Sequence, residues 1–259
     1  MLRRVFVITG AGVSAESGIP TFRGKDGYWR NLDPTKLATP GAFARDPKLV
    51  WEWYNERRER IRNAKPNAAH EAIARLSMLA SEFLLVTQNV DDLHARGGMP
   101  KEKMVQIHGD LFVTRCSRCD FSRNEIENDG PKQGSSKLDW LKQSSLTSAR
   151  NELSCPTCGE LMRPGVVWFG EQLDSRNIDI VEKFLDGGPC DLVLVIGTTA
   201  LFGYIVDWAL RARGEDGELI EINPDETPIS RFATNCIREP AAIALPRLMA
   251  GEFATRSSL

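Results

Sequence analysis

The chain has 259 residues, of which 42% are apolar and 26% are charged, and its formal net charge at pH 7 is −2. These values suit one large domain, or a main domain with a smaller insert, and exclude a wholly disordered chain. The small net charge gives no general attraction to nucleic acid or anionic membranes, and no apolar run reaches the roughly 20 residues of a membrane span. We therefore expect no nucleic-acid binding and no membrane association, and we take the chain to act as a monomer.

The first residues, RRVFVITG, are typical of a buried strand and lack the apolar region and cleavage site of a signal peptide. Similar apolar runs follow at 83–89, 191–199 and 218–223, and each ends in a polar or glycine-rich segment. Helical patterns lie between them at 68–82 and 204–215. The alternation predicts an α/β fold with a doubly wound parallel sheet, which binds ligands at the carboxyl ends of its strands.

Four of the six cysteines form two C-x-x-C pairs, Cys116 with Cys119 and Cys155 with Cys158, and 35 residues separate the pairs. Four thiolates complete a tetrahedral zinc shell and leave no open position, which is typical of a structural metal. The surrounding segment, about 110 to 165, has little core-forming pattern, so we predict a zinc-stapled module inserted into the α/β domain. Two redox dithiols are the alternative. Metal-like cysteine spacing also indicates a reducing, cytoplasmic location.

A glycine-rich turn follows the first predicted strand in ITGAGVSAESGIP. Gly10 and Gly12 allow close approach of the backbone to a phosphate, and the start of the following helix favours an anion. Ala15 stands at the third position of a G-x-G-x-x-G pattern, which accepts alanine in a known variant. The pattern predicts nucleotide binding, with a simple strand-to-helix turn as the alternative.

Polar groups follow the next predicted strand in TQNVDDLH. Its amide and carboxylate side chains could bind a carboxamide or sugar hydroxyls, or could cap a helix. His108, in QIHGDL, is a candidate general base. His70 and His94 are expected to lie on helices.

The stretch VWEWYNERRER places Tyr54 and Arg57 three positions apart, on one face of a predicted helix. On local grounds this pair is simply part of a solvated helix face.

Six segments occur in an order that resembles the sirtuin family of NAD-dependent protein deacylases. They are GAGVSAESGIPTFRG, TQNVDDLH, QIHGDL, the two C-x-x-C pairs, GTT and EIN. The resemblance covers nearly the whole chain. It implies a Rossmann-like large part of about 1–21, 66–109 and 166–259, and a smaller part. The smaller part comprises about 22–65, helical and with a cofactor loop, and the zinc module at 110–165. NAD and an acyl-lysine peptide would meet between the two parts.

The resemblance also assigns residues to ligands, with NAD and one structural Zn²⁺ as the implied cofactors. The implied NAD-binding residues are Gly10, Ala11, Gly12, Ala15, Thr21, Phe22, Arg23, Trp29, Gln88, Asn89, Val90, Asp91, His108, Gly197, Thr198, Thr199, Asn223, Pro224, Asp225 and Ala241. The implied zinc ligands are the four paired cysteines. The segment GVVWFGE (165–171) is similar to one that pairs with the substrate backbone as a strand, and an ordinary core strand is the alternative. The implied substrate-binding residues are Tyr54, Arg57, Val166, Val167, Trp168, Phe169, Gly170 and Glu171.

The implied reaction transfers the acyl group from lysine to ADP-ribose. The acyl-lysine oxygen attacks the ribose, nicotinamide leaves, and His108 acts as the general base on a ribose hydroxyl. The branch that prefers acidic acyl groups, a class III bacterial branch, carries a Tyr-x-x-Arg motif in the acyl pocket, and YNER supplies Tyr54 and Arg57. Arginine pairs well with a carboxylate. We therefore favour removal of succinyl or malonyl groups, with some deacetylation. The alternatives are mainly a deacetylase, an ADP-ribosyltransferase, or a non-catalytic binding protein built on the zinc module.

Two segments differ from this branch. GTTALFGYIVDW replaces the small-residue and proline pattern that usually follows the Gly-Thr turn, and Arg238 and Glu239 stand where a glycine is more usual.

Overall fold

The computed structural model describes residues 3–21, 33–124 and 153–256. The chain forms two compact units. The first unit comprises Met1–Gly27, Ala64–His108 and Leu173–Leu259, and the second comprises Tyr28–Asn63 and Gly109–Gln172. The second unit extends past the predicted end of the small part at 165, because residues between 165 and Gln172 bond to the helical segment 34–63 of the same unit. For example, the Phe169 amide donates to the Ala38 carbonyl at 2.9 Å.

The first unit is built on a six-stranded parallel sheet with the order β3-β2-β1-β7-β8-β9. Its strands are β1 (Arg4–Thr9), β2 (Glu82–Thr87), β3 (Met104–Gln106), β7 (Leu192–Ile196), β8 (Glu218–Ile222) and β9 (Asn235–Ile237). The chain runs outward from β1 through β2 and β3, and returns to β7 on the other side of β1. The strand order therefore reverses between β1 and β7, where open α/β sheets bind their ligands.

Helices cover both faces of this sheet. They are α4 (Ala68–Leu79), α5 (Leu93–Arg96), α6 (Ser175–Asp186), α7 (Gly203–Arg213) and α8 (Ala241–Arg256). Short 3-10 helices span Ala11–Ser17, Lys101–Lys103 and Ser230–Phe232.

Alternate residues of β1 show why the strand sequence is almost wholly apolar. Val5 and Val7 pack into the core on the side of α4 and α8, whereas Phe6 and Ile8 pack into the core on the side of α6 and α7. All four side chains are fully buried. A strand that is buried on both faces belongs to a covered parallel sheet. The predicted doubly wound α/β class is confirmed.

The second unit combines a helical segment with a three-stranded antiparallel sheet of order β5-β4-β6. Its elements are α1 (Pro34–Leu37), α2 (Pro40–Arg45), α3 (Pro47–Asn63), β4 (Gly109–Cys116), β5 (Ser122–Asn124) and β6 (Met162–Val166). The buried Trp51 indole on α3 donates to the Met162 carbonyl at 3.0 Å, and the buried Arg58 guanidinium donates to the Leu111 carbonyl at 2.7 Å. These bonds attach α3 to the sheet.

Within the described residues, no helix is both long and apolar enough to cross a membrane.

Candidate active site and metal centre

The predicted cofactor residues of the first unit gather at one edge of the parallel sheet. The pairing aligns the ends of four strands, with Thr9 beside both Thr87 and Ile196, and Ile196 beside Ile222. Gly10, Gln88, Gly197 and Asn223 follow these strands directly. Parallel register therefore brings together segments that are distant in the chain.

The glycines after β1 pack directly against the turn after β7. The Gly10 amide donates to the Ile196 carbonyl at 3.0 Å, and the Gly12 amide donates to the Gly197 carbonyl at 2.8 Å. A Cβ atom at Gly12 would lie 2.7 Å from the Gly197 Cα, which is closer than real Cβ atoms approach. The protein's own packing thus requires glycine here, and phosphate binding by this turn stays a prediction.

Thr198 connects three of the loops at this edge. Its hydroxyl accepts a hydrogen bond from the Gln88 amide group at 2.7 Å, and its carbonyl accepts one from the Asn223 amide group at 2.6 Å. Thr198 and Asn223 are buried. These bonds fix the positions of the Gln88 and Asn223 side chains before any ligand is considered.

Ser14 plays the same role for the TQNVDD segment, and sequence reasoning missed it. Its buried hydroxyl donates to the Asp91 carboxylate at 3.0 Å and accepts from the Asn89 amide group at 3.1 Å. A second Asp91 oxygen accepts from the Leu93 amide at 3.1 Å. No local signal in the sequence singles out this serine, which stands two residues after Gly12.

His108 lies in the turn two residues after the short strand β3, and both ring nitrogens have partners. Its Nδ1 is 3.0 Å from the Gln88 carbonyl oxygen, and its Nε2 is 2.7 Å from the Tyr204 hydroxyl oxygen. Burial lowers the pKa of His108 below its ordinary value, although the bond to the Gln88 carbonyl opposes this shift. The imidazole is therefore neutral at physiological pH, as a general base must be.

The other two histidines lie on helices α4 and α5, as expected. Both are buried, and their ring centroids are 4.8 Å apart. Burial lowers the pKa of His70 to about 4 and lowers the pKa of His94 well below the ordinary value. The His94 ring bonds the buried Thr9 hydroxyl at 3.0 Å. Both side chains are held neutral inside the first unit.

The remaining predicted cofactor residues vary in their surroundings. Thr199 is exposed, whereas Ala241 is buried at the start of α8. Asn223 caps the turn that follows β8, with its side-chain oxygen 3.3 Å from the Asp225 amide. Ala11 and Ala15 lie in the 3-10 helix after β1. Thr21 and Val90 are half-buried, and Pro224 is exposed. Phe22, Arg23 and Trp29 lie outside the described residues.

Tyr54 and Arg57 lie on α3 in the second unit. The Tyr54 phenol is buried, and its oxygen accepts a hydrogen bond from the Trp168 indole at 2.9 Å. Burial raises the pKa of Tyr54 to about 12, although the nearby charge of Arg57 opposes this shift. The phenol therefore keeps its proton, and the Arg57 guanidinium lies 5.0 Å from the centre of the Trp53 ring. The pair differs from an ordinary solvated helix face, because Tyr54 is removed from water.

The segment predicted to pair with a substrate divides at Val166. Gly165 and Val166 belong to β6, and the following residues form a turn in which the Glu171 amide donates to the Trp168 carbonyl at 3.0 Å. The Glu171 carboxylate accepts from the Trp168 amide at 2.8 Å and from the buried Arg163 guanidinium at 2.5 Å. Strand pairing with a substrate stays a prediction, and the Trp168 and Glu171 amides already bond within the unit. Val167, Phe169 and Gly170 lie in the same turn region.

The four paired cysteines converge in the second unit, and their sulfur atoms all lie within 4.8 Å of one another. The Sγ atoms of Cys116 and Cys158 are 3.4 Å apart, and those of Cys119 and Cys155 are 3.6 Å apart. A tetrahedral zinc ion with Zn–S bonds of about 2.3 Å separates its sulfur ligands by about 3.8 Å. The Cys119 amide also donates to the Cys116 sulfur at 3.4 Å, as suits a thiolate. The donor set therefore fits a structural zinc ion.

Comparisons with known proteins agree with this arrangement. Residues 10–202 match the Sir2 family. The chain is 43% identical over 242 residues to NAD-dependent protein deacylase 1 of Archaeoglobus fulgidus. The aligned region covers 93% of this chain and 90% of that protein. A solved complex of a Sir2 homologue mutant with 2'-O-acetyl ADP ribose has a TM-score of 0.84 and 39% identity to this chain. The match covers 100% of this chain and 94% of the homologue's chain. A solved complex of a Sir2 homologue with NAD has a TM-score of 0.81 and 40% identity to this chain. The match covers 99% of this chain and 91% of the homologue. With its parallel sheet, four-cysteine centre and these matches, the chain belongs to the Sir2 family.

Proposed function

We propose that the protein is an NAD-dependent protein-lysine deacylase that prefers succinyl and malonyl groups and also removes acetyl groups. Its products would be nicotinamide, O-acyl-ADP-ribose and free lysine. The protein is an enzyme of the sirtuin type, since its relatives are named NAD-dependent protein deacylases. The complex of a similar structure with 2'-O-acetyl ADP ribose supports the proposed product. The four thiolates support a reducing, cytoplasmic setting.

Residues at the sheet edge of the first unit would hold NAD. The donor set suits a ligand rich in hydroxyl, amide and phosphate groups, because it combines the amide side chains of Gln88, Asn89 and Asn223 with the Asp91 carboxylate and a glycine turn. When bound, NAD supplies an electrophilic ribose carbon that takes the acyl oxygen with loss of nicotinamide. The bonds to Ser14 and Thr198 hold these side chains in place, which lowers the cost of ordering them on binding.

His108 would accept a proton from a ribose hydroxyl at its Nε2 atom. A carbonyl oxygen can only accept a hydrogen bond, so the Gln88 carbonyl requires the proton of the neutral ring to be on Nδ1. The lone pair is then on Nε2. Because burial keeps the ring neutral, the base is ready at physiological pH without prior deprotonation.

The observation that carries the acyl preference is the buried phenol of Tyr54. Its oxygen accepts from the Trp168 indole, so its own hydrogen can donate to a further acceptor. A substrate carboxylate would receive this hydrogen together with those of the Arg57 guanidinium. A neutral acetyl group offers no carboxylate to these donors, whereas hydrogen bonds to a charged acceptor are worth roughly 1–3 kcal/mol each.

The test compares kcat/KM for succinyl-, malonyl- and acetyl-lysine peptides in the wild type and in Arg57→Met. We expect the ratio of succinyl to acetyl turnover to fall about ten- to a hundredfold, the equivalent of that energy. Tyr54→Phe should lower the ratio by less, because it removes one neutral donor. Arg60→Met is the matched control, since Arg60 lies on the same helix and is about half exposed.

Each outcome has a distinct meaning. A succinyl preference that survives Arg57→Met would refute the assignment of the acyl site. Equal turnover of all three peptides by the wild type would reduce the function to general deacylation. ADP-ribose left on protein without release of free lysine would identify a transferase instead.

A further inference from the structure

The segment after the Gly-Thr turn, ALFGYIVDW, has no role in the function proposed above. It begins α7 at Gly203 and places Tyr204 in the first turn of that helix. The Tyr204 hydroxyl oxygen lies 2.7 Å from Nε2 of His108, the nitrogen that would act as the base. This short distance is typical of a well-formed hydrogen bond.

The direction of this hydrogen bond follows from the other side of the ring. The Gln88 carbonyl accepts from Nδ1, which puts the single proton of the neutral imidazole on Nδ1. Nε2 is then an acceptor, and the Tyr204 hydroxyl must be the donor. Burial raises the pKa of Tyr204, so the phenol stays protonated and able to donate.

The Tyr204 ring is fixed on both sides. Phe202 stacks on it with a centroid distance of 5.7 Å, and Trp208 contacts it at 4.8 Å. The Trp208 indole in turn donates to Glu182 on α6 at 2.9 Å. The phenol is therefore held in place by neighbours that do not themselves bond His108.

Few other groups influence this imidazole. It contacts the Gln88 carbonyl after β2, the Tyr204 hydroxyl on α7, and the ring of Phe202 just before α7, whose centroid lies 5.6 Å away in a T-shaped arrangement. Among the described residues, no charged side chain contributes to the shift of its pKa, which burial lowers and the Gln88 carbonyl raises. Tyr204 is the titratable group that bonds the ring directly.

We infer that in the unliganded protein Tyr204 is a positioning residue for His108, which holds the imidazole in one orientation and stabilises its neutral form by donating to Nε2. The Tyr204 hydroxyl must release Nε2 before the same lone pair can accept the ribose proton. The importance of this bond for catalysis rests on the proposed role of His108 as the base. The bond itself does not depend on that role. A hydrogen bond to the neutral form disfavours protonation, so its removal must raise the pKa of His108.

The direct test is a ¹⁵N NMR titration of the imidazole side chains in the unliganded protein, with His108→Gln used to assign the signals. In the wild type we expect a protonated Nδ1, an Nε2 that accepts a hydrogen bond, and a pKa below 6.5. In Tyr204→Phe the pKa of His108 should rise by about 0.5–1 pH unit, the size expected for one neutral hydrogen bond. Phe232→Leu is the control, because it truncates an aromatic side chain that packs against the same core and leaves the Tyr204 ring and its neighbours unchanged.

An unchanged His108 pKa in Tyr204→Phe, or a proton on Nε2 in the wild type, would overturn the inference. Should Tyr204→Phe fail to fold, replacement of the three tyrosines of the chain by 3-fluorotyrosine provides a second test. The more acidic phenol is a stronger donor, so the pKa of His108 should then fall. A pKa that does not fall would also count against the bond.

The kinetic test separates this inference from the proposed function. The acid limb of kcat/KM against pH reports the free enzyme, and in Tyr204→Phe it should move upward by the same fraction of a pH unit. If the NMR shift is found but no variant or wild type releases nicotinamide, the pairing stands and the proposed function fails. If turnover depends on His108 but neither the pKa nor the acid limb moves, the pairing fails and the proposed function stands.

Discussion

The two compact units hold their polar side chains by different means. In the first unit, the side chains at the sheet edge are mostly neutral, and hydroxyls, amides and imidazoles bond one another above an apolar sheet. In the second unit, guanidinium groups make these bonds: Arg58 donates to the Leu111 carbonyl, and Arg163 pairs with Glu171. The four cysteine sulfur atoms of the same unit form the candidate metal centre. Both units have buried apolar side chains, but the described residues place a four-cysteine metal centre only in the second unit. We therefore expect loss of the metal to affect the second unit more than the first.

The zinc ligands are the sharpest test of this difference. Cys116→Ser should remove the metal and unfold the second unit, because binding of a structural zinc contributes roughly 10 kcal/mol or more of apparent folding free energy. Zinc content by mass spectrometry and a melting curve would measure this loss. Cys236→Ser, at a partly buried cysteine outside the cluster, should leave both unchanged. A Cys116→Ser protein with full zinc content and unchanged melting would show that the second unit does not need the ion.

Substitution of His108 tests whether a neutral side chain of the first unit acts as the general base. His108→Ala should lower kcat by about 10²–10⁴, the usual contribution of a general base, while NAD still binds. Release of free lysine from an acyl-lysine peptide would measure turnover, and calorimetry would measure NAD binding. In the wild type, kcat/KM should fall with decreasing pH only below 6.5, because burial lowers the pKa of the base. Full turnover by His108→Ala would remove the base from the mechanism.

The buried histidines make the stability of the first unit sensitive to acid. His70 titrates near 6.5 in the unfolded chain and near 4 in the folded protein, so between these values only the unfolded state binds the proton. The stability that His70 contributes is fully present above pH 6.5 and is lost as the pH falls towards 4. We expect a loss of about 2 kcal/mol in the free energy of unfolding between pH 7.5 and 5 from this residue.

Urea unfolding of the wild type and of His70→Gln at the two pH values would measure this contribution. Glutamine does not titrate and can keep the helix-capping bond that His70 makes to the Asn67 amide. The variant should therefore lose about 2 kcal/mol less than the wild type on acidification. An equal loss in both proteins would mean that His70 is protonated in the folded state.

The smallest expected effect concerns the neutral bond between Trp168 and Tyr54 in the second unit. Trp168→Phe removes the indole donor and should lower the ratio of succinyl to acetyl turnover about fivefold, the equivalent of one hydrogen bond of about 1 kcal/mol. Trp51→Phe also removes an indole bond of this unit, to the Met162 carbonyl, and should leave the ratio unchanged. Equal ratios in the two variants would show that Trp168 does not orient the phenol.

The sequence predicted the first unit well, because its signals are local and repeated. Short apolar runs that end in polar turns allow little but buried parallel strands, and β1, β2, β7 and β8 lie where these runs do. The cysteine spacing was equally informative, since four thiolates with that spacing have few uses other than metal binding.

The missed features depend on contacts between distant residues. Nothing local marks Ser14 as the partner of Asn89 and Asp91, or Tyr204 as the partner of His108. The interpretation of Gly10 and Gly12 as a phosphate turn also overlooked the Gly197 backbone that they contact. Periodicity identifies strands, but it does not predict which loop ends meet after the strands have paired.

The contact between Gly12 and Gly197 has a consequence for biosynthesis. The turn after β1 leaves the ribosome well before the backbone that supports it, which lies at the end of β7 and in the turn after that strand. Because such long-range pairing forms only once both partners are available, a nascent chain that ends before Leu192 cannot complete this turn. The turn proposed to hold the dinucleotide therefore forms only after β7 and the turn that follows it have been synthesised.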